Sequence, residues 1–418
     1  MQSEYSRELF ARLRAGVLET IEWTGTPDDG QIRAQIDEAL AREEQVRTMP
    51  AKLRIRLGRD LFDSLRRFDA ITELLEDGSV SEIMVNRADV IFIEKNGKLQ
   101  TYGRSFSSDE ALADIIQMIV SKVNRQVNAS SPIVDARLED GSRINIVLPP
   151  VALDGPVLTI RKFPTSMMTI ERMVELGTLT AEAAEYLRVL VRARYNIFIS
   201  GGTGSGKTTL LNALSGFIPE TERVITIEDS AELKLQHIPN LVRLETKNAS
   251  ADGGGGVTIR DLIKSALRMR PDRVVVGEVR GGEVIDMLQA MNTGHDGSLS
   301  TGHANSPRDM LSRLATMVLT GGVEIPLPAV VSQIASAIDI LIHVARLRDG
   351  SRRILSIHEV TGTENGQITT QELFVFRENG EREGRIEGKL CRTEAKLKGR
   401  EKLYFSGLSL GDDASGGP

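Results

Sequence analysis

Apolar residues recur at two spacings along the chain, and the change from one to the other divides it. Near the start, Leu9, Leu13, Val17 and Ile21 stand four apart, which predicts an amphipathic helix over residues 4–22. The run TGTPDDG at 24–30 reads as a turn, and a charged helical stretch follows over 31–47, ended by Pro50. Residues 1–60 are therefore expected to form a helical appendage without chemistry of its own. From residue 61 the pattern shortens. A helix over 61–75 gives way to β-rich runs at 82–85, 90–94 and 99–103, separated by NRAD and KNGK. A helix at 111–123 and a hairpin over 133–148, turning on Asp140-Gly141, complete an α/β domain at 61–163, with a linker at Pro164.

Beyond the linker the helical and extended patterns alternate. A helix at 181–194 runs into the apolar stretch 195–200, and further strands are expected at 224–227, 241–244 and 274–276 with helices between several of them. That order implies a mostly parallel sheet, so residues 164–376 read as a second α/β domain. NASADGGGG at 248–256 reads as a flexible loop, and the small-residue run 293–305 as a loop with two histidines, His295 and His303. Helices at 309–319 and 329–337 precede strands at 340–347, 352–360 and 368–376. Residues 377–418 are an extension whose end, GDDASGGP, is expected to be disordered.

Composition narrows the classes. With 52 basic and 58 acidic residues the net charge is −6, which argues against coating nucleic acid through bulk charge. A lone cysteine, Cys391, excludes an intrachain disulfide and fits a cytoplasmic chain. The first residues lack the apolar run of a signal peptide, and no stretch reaches the ~18 apolar residues of a spanning helix, so membrane contact is expected only through partners.

The chemistry concentrates in the second domain. Gly201 to Thr208, GGTGSGKT, has the spacing G-x-x-x-x-G-K-[ST] between an apolar strand and a helix. Glycines there let backbone N–H groups converge on phosphate oxygens, and the helix N-terminus adds partial positive charge. Gly202, Thr203, Gly204, Ser205, Gly206, Lys207, Thr208 and Thr209 are the expected ATP contacts, with Lys207 on the outer phosphates and Thr208 on Mg²⁺. Carboxylates follow two later strands: Glu228-Asp229 and Glu278. Strand ends of this kind are where α/β sheets bind ligands. Position 277, where an acidic metal-binding residue is common, is glycine. That leaves Glu228 and Asp229 to hold Mg²⁺ through water.

Four boxes in order carry a family resemblance: GGTGSGKTT, TIEDSAEL, MRPDRVVVGEVRGGE and TGHDGSLSTGHANSP. They resemble the Walker A, Asp, Walker B and His boxes of the type II and type IV secretion ATPases. The wording is nearest the CpaF branch, which serves tight-adherence (Flp) pili, and the likeness spans residues 60–376. It implies a RecA-like motor domain after a smaller α/β domain, assembled as a hexamer that binds ATP and Mg²⁺ between the two domains and docks on inner-membrane pilus platform proteins. By match to the boxes, Glu278 is the catalytic glutamate, Glu228 and Asp229 the Asp-box acids and His303 the His-box histidine. The family also brings arginines of the first domain to the phosphates, for which Arg137, Arg143 and Arg161 are candidates. A type IV secretion ring ATPase and a nucleic-acid-dependent motor are the alternative functions. A GTPase is disfavoured, because no N-K-x-D tetrad is present.

Overall fold

The computed structural model describes residues 5–20, 28–66, 68–123, 126–138, 140–163, 168–247, 255–322 and 324–411. Most of the expected turn at 24–30, the linker at Pro164, most of the glycine loop and the final tail lie outside them. The chain forms two compact units, Met1–Thr165 and Ser166–Pro418. Among the described residues no helix is long and apolar enough to cross a membrane.

The first unit opens with helices Arg7–Thr20, Asp29–Arg42, Glu44–Arg47 and Ala51–Arg66. Leu9, Leu13, Val17, Ile32, Ile36 and Leu57 give them a core of their own. Pro50 sits just before a helix rather than only after one. The continuous helix expected over 61–75 is interrupted: Asp69 takes a positive φ of 49° and short turns at Asp69–Ile71 and Thr72–Glu76 follow. Arg104 ties this region to the sheet domain through Asp60 at 2.6 Å and Glu73 at 3.1 Å.

Six strands follow: β1 (Val80–Arg87), β2 (Val90–Lys95), β3 (Lys98–Thr101), β4 (Ile133–Arg137), β5 (Arg143–Val147) and β6 (Val157–Arg161). They pair antiparallel in the order β3-β2-β1-β6-β5-β4. The hairpin expected at 133–148 is present. Asp140 closes its turn by accepting the Ser142 N–H at 2.8 Å. β6, where a linker approach was expected, is instead a central strand, because Leu158 and Ile160 are buried in the sheet core. Helix Asp109–Lys122, capped by Ser108, lays Leu112, Ile115, Ile116 and Ile119 on that core.

The second unit holds nine strands: β7 (Ile197–Gly201), β8 (Val224–Glu228), β9 (Leu241–Glu245), β10 (Arg273–Val276), β11 (Leu299–His303), β12 (Ile340–Arg346), β13 (Arg352–Glu364), β14 (Gln367–Arg382) and β15 (Arg385–Arg392). Their order is β15-β14-β13-β12-β7-β11-β10-β8-β9. The six strands from β12 to β9 are parallel, and β13 to β15 add an antiparallel ribbon. Side chains alternate between two cores. Ile197, Ile199, Ile340 and Ile342 face one, with helices Ala181–Arg192 and Lys207–Ser215. Phe198, Ile225, Ile227 and Leu341 face the other, with the helices between 259 and 337. A sheet covered on both sides explains why these strands read as unbroken apolar runs.

β11 corrects the sequence reading of 293–305 as a loop. Its residues, LSTGH, are small and polar, yet it lies between β7 and β10 in the centre of the sheet. Thr301 donates its hydroxyl to the Gly277 carbonyl at 2.8 Å, which satisfies a side chain that the pattern alone marks as solvent-facing. At the far end of β10, fully buried Arg273 pairs bidentately with Glu222 and donates to the Val191 carbonyl at 2.6 Å. The expected boundary at 376 falls inside β14, and Leu390, Leu397, Leu403 and Leu410 beyond it all enter the core.

Candidate functional site

β7 ends at Gly201 and the helix of Lys207–Ser215 starts six residues on, so the glycine loop joins a strand to a helix N-terminus. Gly206, the N-cap, has φ of 97°, a conformation that excludes other residues without strain. Inside the loop the Gly202 carbonyl accepts from Ser205 Oγ at 2.8 Å and Lys207 Nζ at 3.0 Å. Thr208 is half-buried on the first helical turn, while Thr203, Gly204 and Thr209 are exposed.

The expected acids and histidine converge on this lysine. Lys207 Nζ lies 3.2 Å from His303 Nδ1, and His303 Nε2 lies 2.9 Å from Glu278 Oε1. Arg280 Nε approaches the same Oε1 at 3.2 Å, and its Nη1 reaches Asp229 Oδ2 at 3.5 Å. Five side chains from four segments thus form one polar line: Lys207, His303, Glu278, Arg280, Asp229. β11 makes this possible, since it sets His303 between the strand that leads to the lysine and the strand that leads to the glutamate. Burial and the Lys207 charge hold the His303 imidazole below its ordinary pKa, partly offset by Glu278. The neutral ring then accepts from the ammonium at Nδ1, and its Nε2 lies against the carboxylate without a well-aligned hydrogen bond to Oε1.

Glu228 stands apart from that line. It is buried, and its Oε1 accepts the N–H groups of Glu232 at 2.8 Å and Leu233 at 3.0 Å. Burial pushes its carboxyl up to about 7 despite those two donors. Its stem also accounts for Gly277: a Cβ there would lie 2.9 Å from Glu228 Cγ. Of the two histidines in the small-residue run, only His303 joins the site. His295 makes its contact with the Ala290 carbonyl at 3.2 Å, at the end of the preceding helix.

The three candidate arginines of the first unit are brought together by register. Arg137 on β4 pairs with Arg143 on β5, and Arg143 pairs with Arg161 on β6. They form a row on one face, and Arg161 meets Glu82 on β1 at 3.8 Å. Like charges directly across strands cost stability.

Mg²⁺ at a phosphate site takes one or two protein ligands and completes its shell with phosphate and water oxygens. The residues fit that pattern. Among the described residues no cluster of three or more His, Cys, Asp or Glu forms a protein cage. Thr208 is the hydroxyl on the first turn, and Glu228 Oε2 is buried without a hydrogen-bond partner, an acceptor that a hydrated cation satisfies.

Two contributors lay outside the sequence reading. Arg280 was legible in VGEVRGG, two residues past Glu278. Arg352, on β13, donates its Nε to the Gly204 carbonyl at 2.9 Å and carried no signal, because its partner is a backbone atom 148 residues away. Arg352 also borders a hollow of about 230 Å³ beside the glycine loop, lined by Met173, Leu176, Ser205, Thr209 and Val344.

Residues 65–402 match the family described as type II/IV secretion system protein. A putative conjugal transfer protein of Mycobacterium tuberculosis is 37% identical over 290 residues, 68% of this chain and 82% of its own. The type IV secretion system protein VirB11 of Brucella suis is 34% identical over 309 residues, 68% of this chain and 86% of its own. The X-ray structure of the Yersinia pseudotuberculosis ATPase DotB aligns with a TM-score of 0.51 at 16% identity, covering 71% of this chain and 79% of that one, a likeness of fold.

Proposed function

The chain belongs to the type II/IV secretion system protein family, and on that premise we propose that it is an ATP-hydrolysing motor. The observation that carries this reading is the line from Lys207 through His303 to Glu278. It ends on a carboxylate at a strand terminus, beside a loop built for phosphates. In the proposed reaction Glu278 orients and deprotonates the attacking water, and Lys207 and the loop N–H groups balance charge on the outer phosphates. Mg²⁺, held by Thr208 and through water by Glu228 and Asp229, would neutralise phosphate charge. The base would occupy the hollow beside Thr209 and Arg352, where an apolar wall and a guanidinium both suit a heteroaromatic ring. The row Arg137, Arg143 and Arg161 would supply further positive charge to phosphate.

The work done is proposed to be assembly of a tight-adherence (Flp) pilus by a cytoplasmic hexamer docked on inner-membrane platform proteins. The wording of the boxes supports this. The names of the Mycobacterium and Brucella relatives favour a second reading, a ring ATPase of conjugal transfer or type IV secretion. Deleting the gene and assaying surface pili against DNA or protein export separates the two. For the chemistry itself, Glu278→Gln should bind ATP with an unchanged Kd while steady-state turnover falls at least 100-fold. A variant that hydrolyses ATP at the wild-type rate removes Glu278 from the catalytic role.

A further inference from the structure

The ladders on both sides of β7 stop at Gly201, which pairs with His303 on β11 and with Val344 on β12. Gly202 to Gly206 therefore stand beyond the sheet, and their own bonds close inward. The Gly202 carbonyl receives the Ser205 N–H at 3.4 Å as well as the Ser205 hydroxyl and the Lys207 ammonium. β12 continues two residues past Val344 to Arg346, which pairs with Arg352 at the start of β13. The turn that joins them is firmly held. Asp349 accepts the Ser351 N–H and the Ile386 N–H of β15, each at 2.9 Å, and the Leu347 N–H donates to the Ser351 carbonyl at 2.8 Å. From that root Arg352 donates its Nε to the Gly204 carbonyl at 2.9 Å. Its Cδ lies 3.3 Å from where a Cβ on Gly206 would stand.

We propose that Arg352 is a positioning residue for nucleotide binding: by holding the Gly204 carbonyl outward, it keeps the phosphate loop in the shape that receives an anion. This rests on the reading of the chain as an ATPase and deepens it at the same site. A loop that cradles phosphate has to present N–H groups and turn its carbonyls away. Gly204 has φ of 69° and no Cβ, so the peptide that follows it can turn over at little steric cost. Turned over, that peptide would aim a carbonyl oxygen into the loop, against the phosphate oxygens, and withdraw the Ser205 N–H from Gly202. Neither flanking ladder opposes this, because both end at Gly201. The bond from Arg352 does oppose it. A hydrogen bond from a charged donor is worth about tenfold or more in an equilibrium constant. Arg352 thus shapes the phosphate site from the backbone side, apart from any contact it makes with a base in the hollow.

The test uses the full-length chain with Mg²⁺ and two probes: ATP, and inorganic tripolyphosphate, which has the phosphates and no base. Arg352 is exposed, so its replacement leaves the core intact. Arg352→Ala removes the donor. Arg352→Gln restores an uncharged donor, since its Nε2 stands as many bonds from the backbone as the arginine Nε. Arg352→Lys restores the charge alone on a differently shaped head. We expect Arg352→Ala to weaken both probes by about tenfold in Kd, and Arg352→Gln to recover most of that loss for tripolyphosphate. A second readout needs no ligand: the backbone amide signals of Gly204 and Ser205 should move in Arg352→Ala and return toward wild type in Arg352→Gln. Unchanged tripolyphosphate binding in Arg352→Ala overturns the proposal, because the arginine then serves the base alone. So does recovery in Arg352→Lys with none in Arg352→Gln, the mark of a bare charge rather than a tie. A loss of affinity that follows a drop in Tm, with the amide signals unmoved, overturns it as well. If the wild-type chain binds neither probe, the ATPase reading fails. In that case, or if it takes ATP alone, the amide signals still decide whether Arg352 sets the loop.

Discussion

β10 runs out at Val276 into Gly277, a position where an acidic residue commonly binds the metal. The structure supplies a steric reason for its absence. Glu228 rises from the neighbouring strand, and its stem occupies the space a side chain at 277 would need. Glu228 cannot swing aside cheaply, because its Oε1 is pinned by two backbone N–H groups. Gly277→Asp should therefore destabilise the chain by roughly 1–3 kcal/mol from overpacking alone. A second carboxylate beside a buried one adds repulsion. Thermal unfolding should show Gly277→Ala with a smaller loss than Gly277→Asp, and a Gly277→Asp variant as stable as wild type would refute the steric account. The absence of the aspartate was plain in the sequence, but its cause was not. That cause lies in the side-chain packing of two strands 45 or more residues apart in sequence, which periodicity does not encode.

Elements differed in how openly they announced themselves. The strands β7, β8 and β10 were legible because a sheet covered on both faces demands unbroken apolar runs, and the glycine loop because its spacing is tied to phosphate geometry. β11 was not legible. Thr301 settles its hydroxyl on the Gly277 carbonyl, Ser300 is buried without such a partner, and only the finished sheet shows these small polar residues buried. The ribbon was half legible: β13 and the first half of β14 were expected, but not β15, whose sequence RIEGKLCR is largely polar. Its burial is nonetheless real. Leu390, Leu397, Leu403 and Leu410 each contribute roughly 1.5–3 kcal/mol on burial, which together rivals the ~5–15 kcal/mol by which whole domains are stable. Lys402 adds a clasp, with Asp339 and Asp296 each at 2.7 Å. Truncation after residue 376 should thus give a protein without a cooperative thermal transition. A truncated chain melting within a few degrees of the full one would show the extension to be dispensable.

For the molecule as a whole, the proposed ring makes a direct prediction. With Mg²⁺ and a non-hydrolysable ATP analogue, Glu278→Gln should sediment at six times the 45.8 kDa of the chain. A persistent monomer under those conditions sinks the hexamer. The acidic balance of the chain fits a machine whose basic residues are gathered locally, as the row of Arg137, Arg143 and Arg161 is, rather than spread to hold a polyanion.

The line of side chains at Glu278 has a consequence for idling. Its Oε1 faces both His303 and Arg280, and its Oε2 accepts from Arg280 Nη2 at 3.3 Å. An imidazole and a guanidinium packed against one carboxylate leave little room for a water to reach it. If Glu278 is the base, the resting motor is braked by its own neighbours, and a phosphate that recruits Lys207 and His303 also releases the brake. Fuel would then be spent when the site is properly loaded, and wasted slowly otherwise.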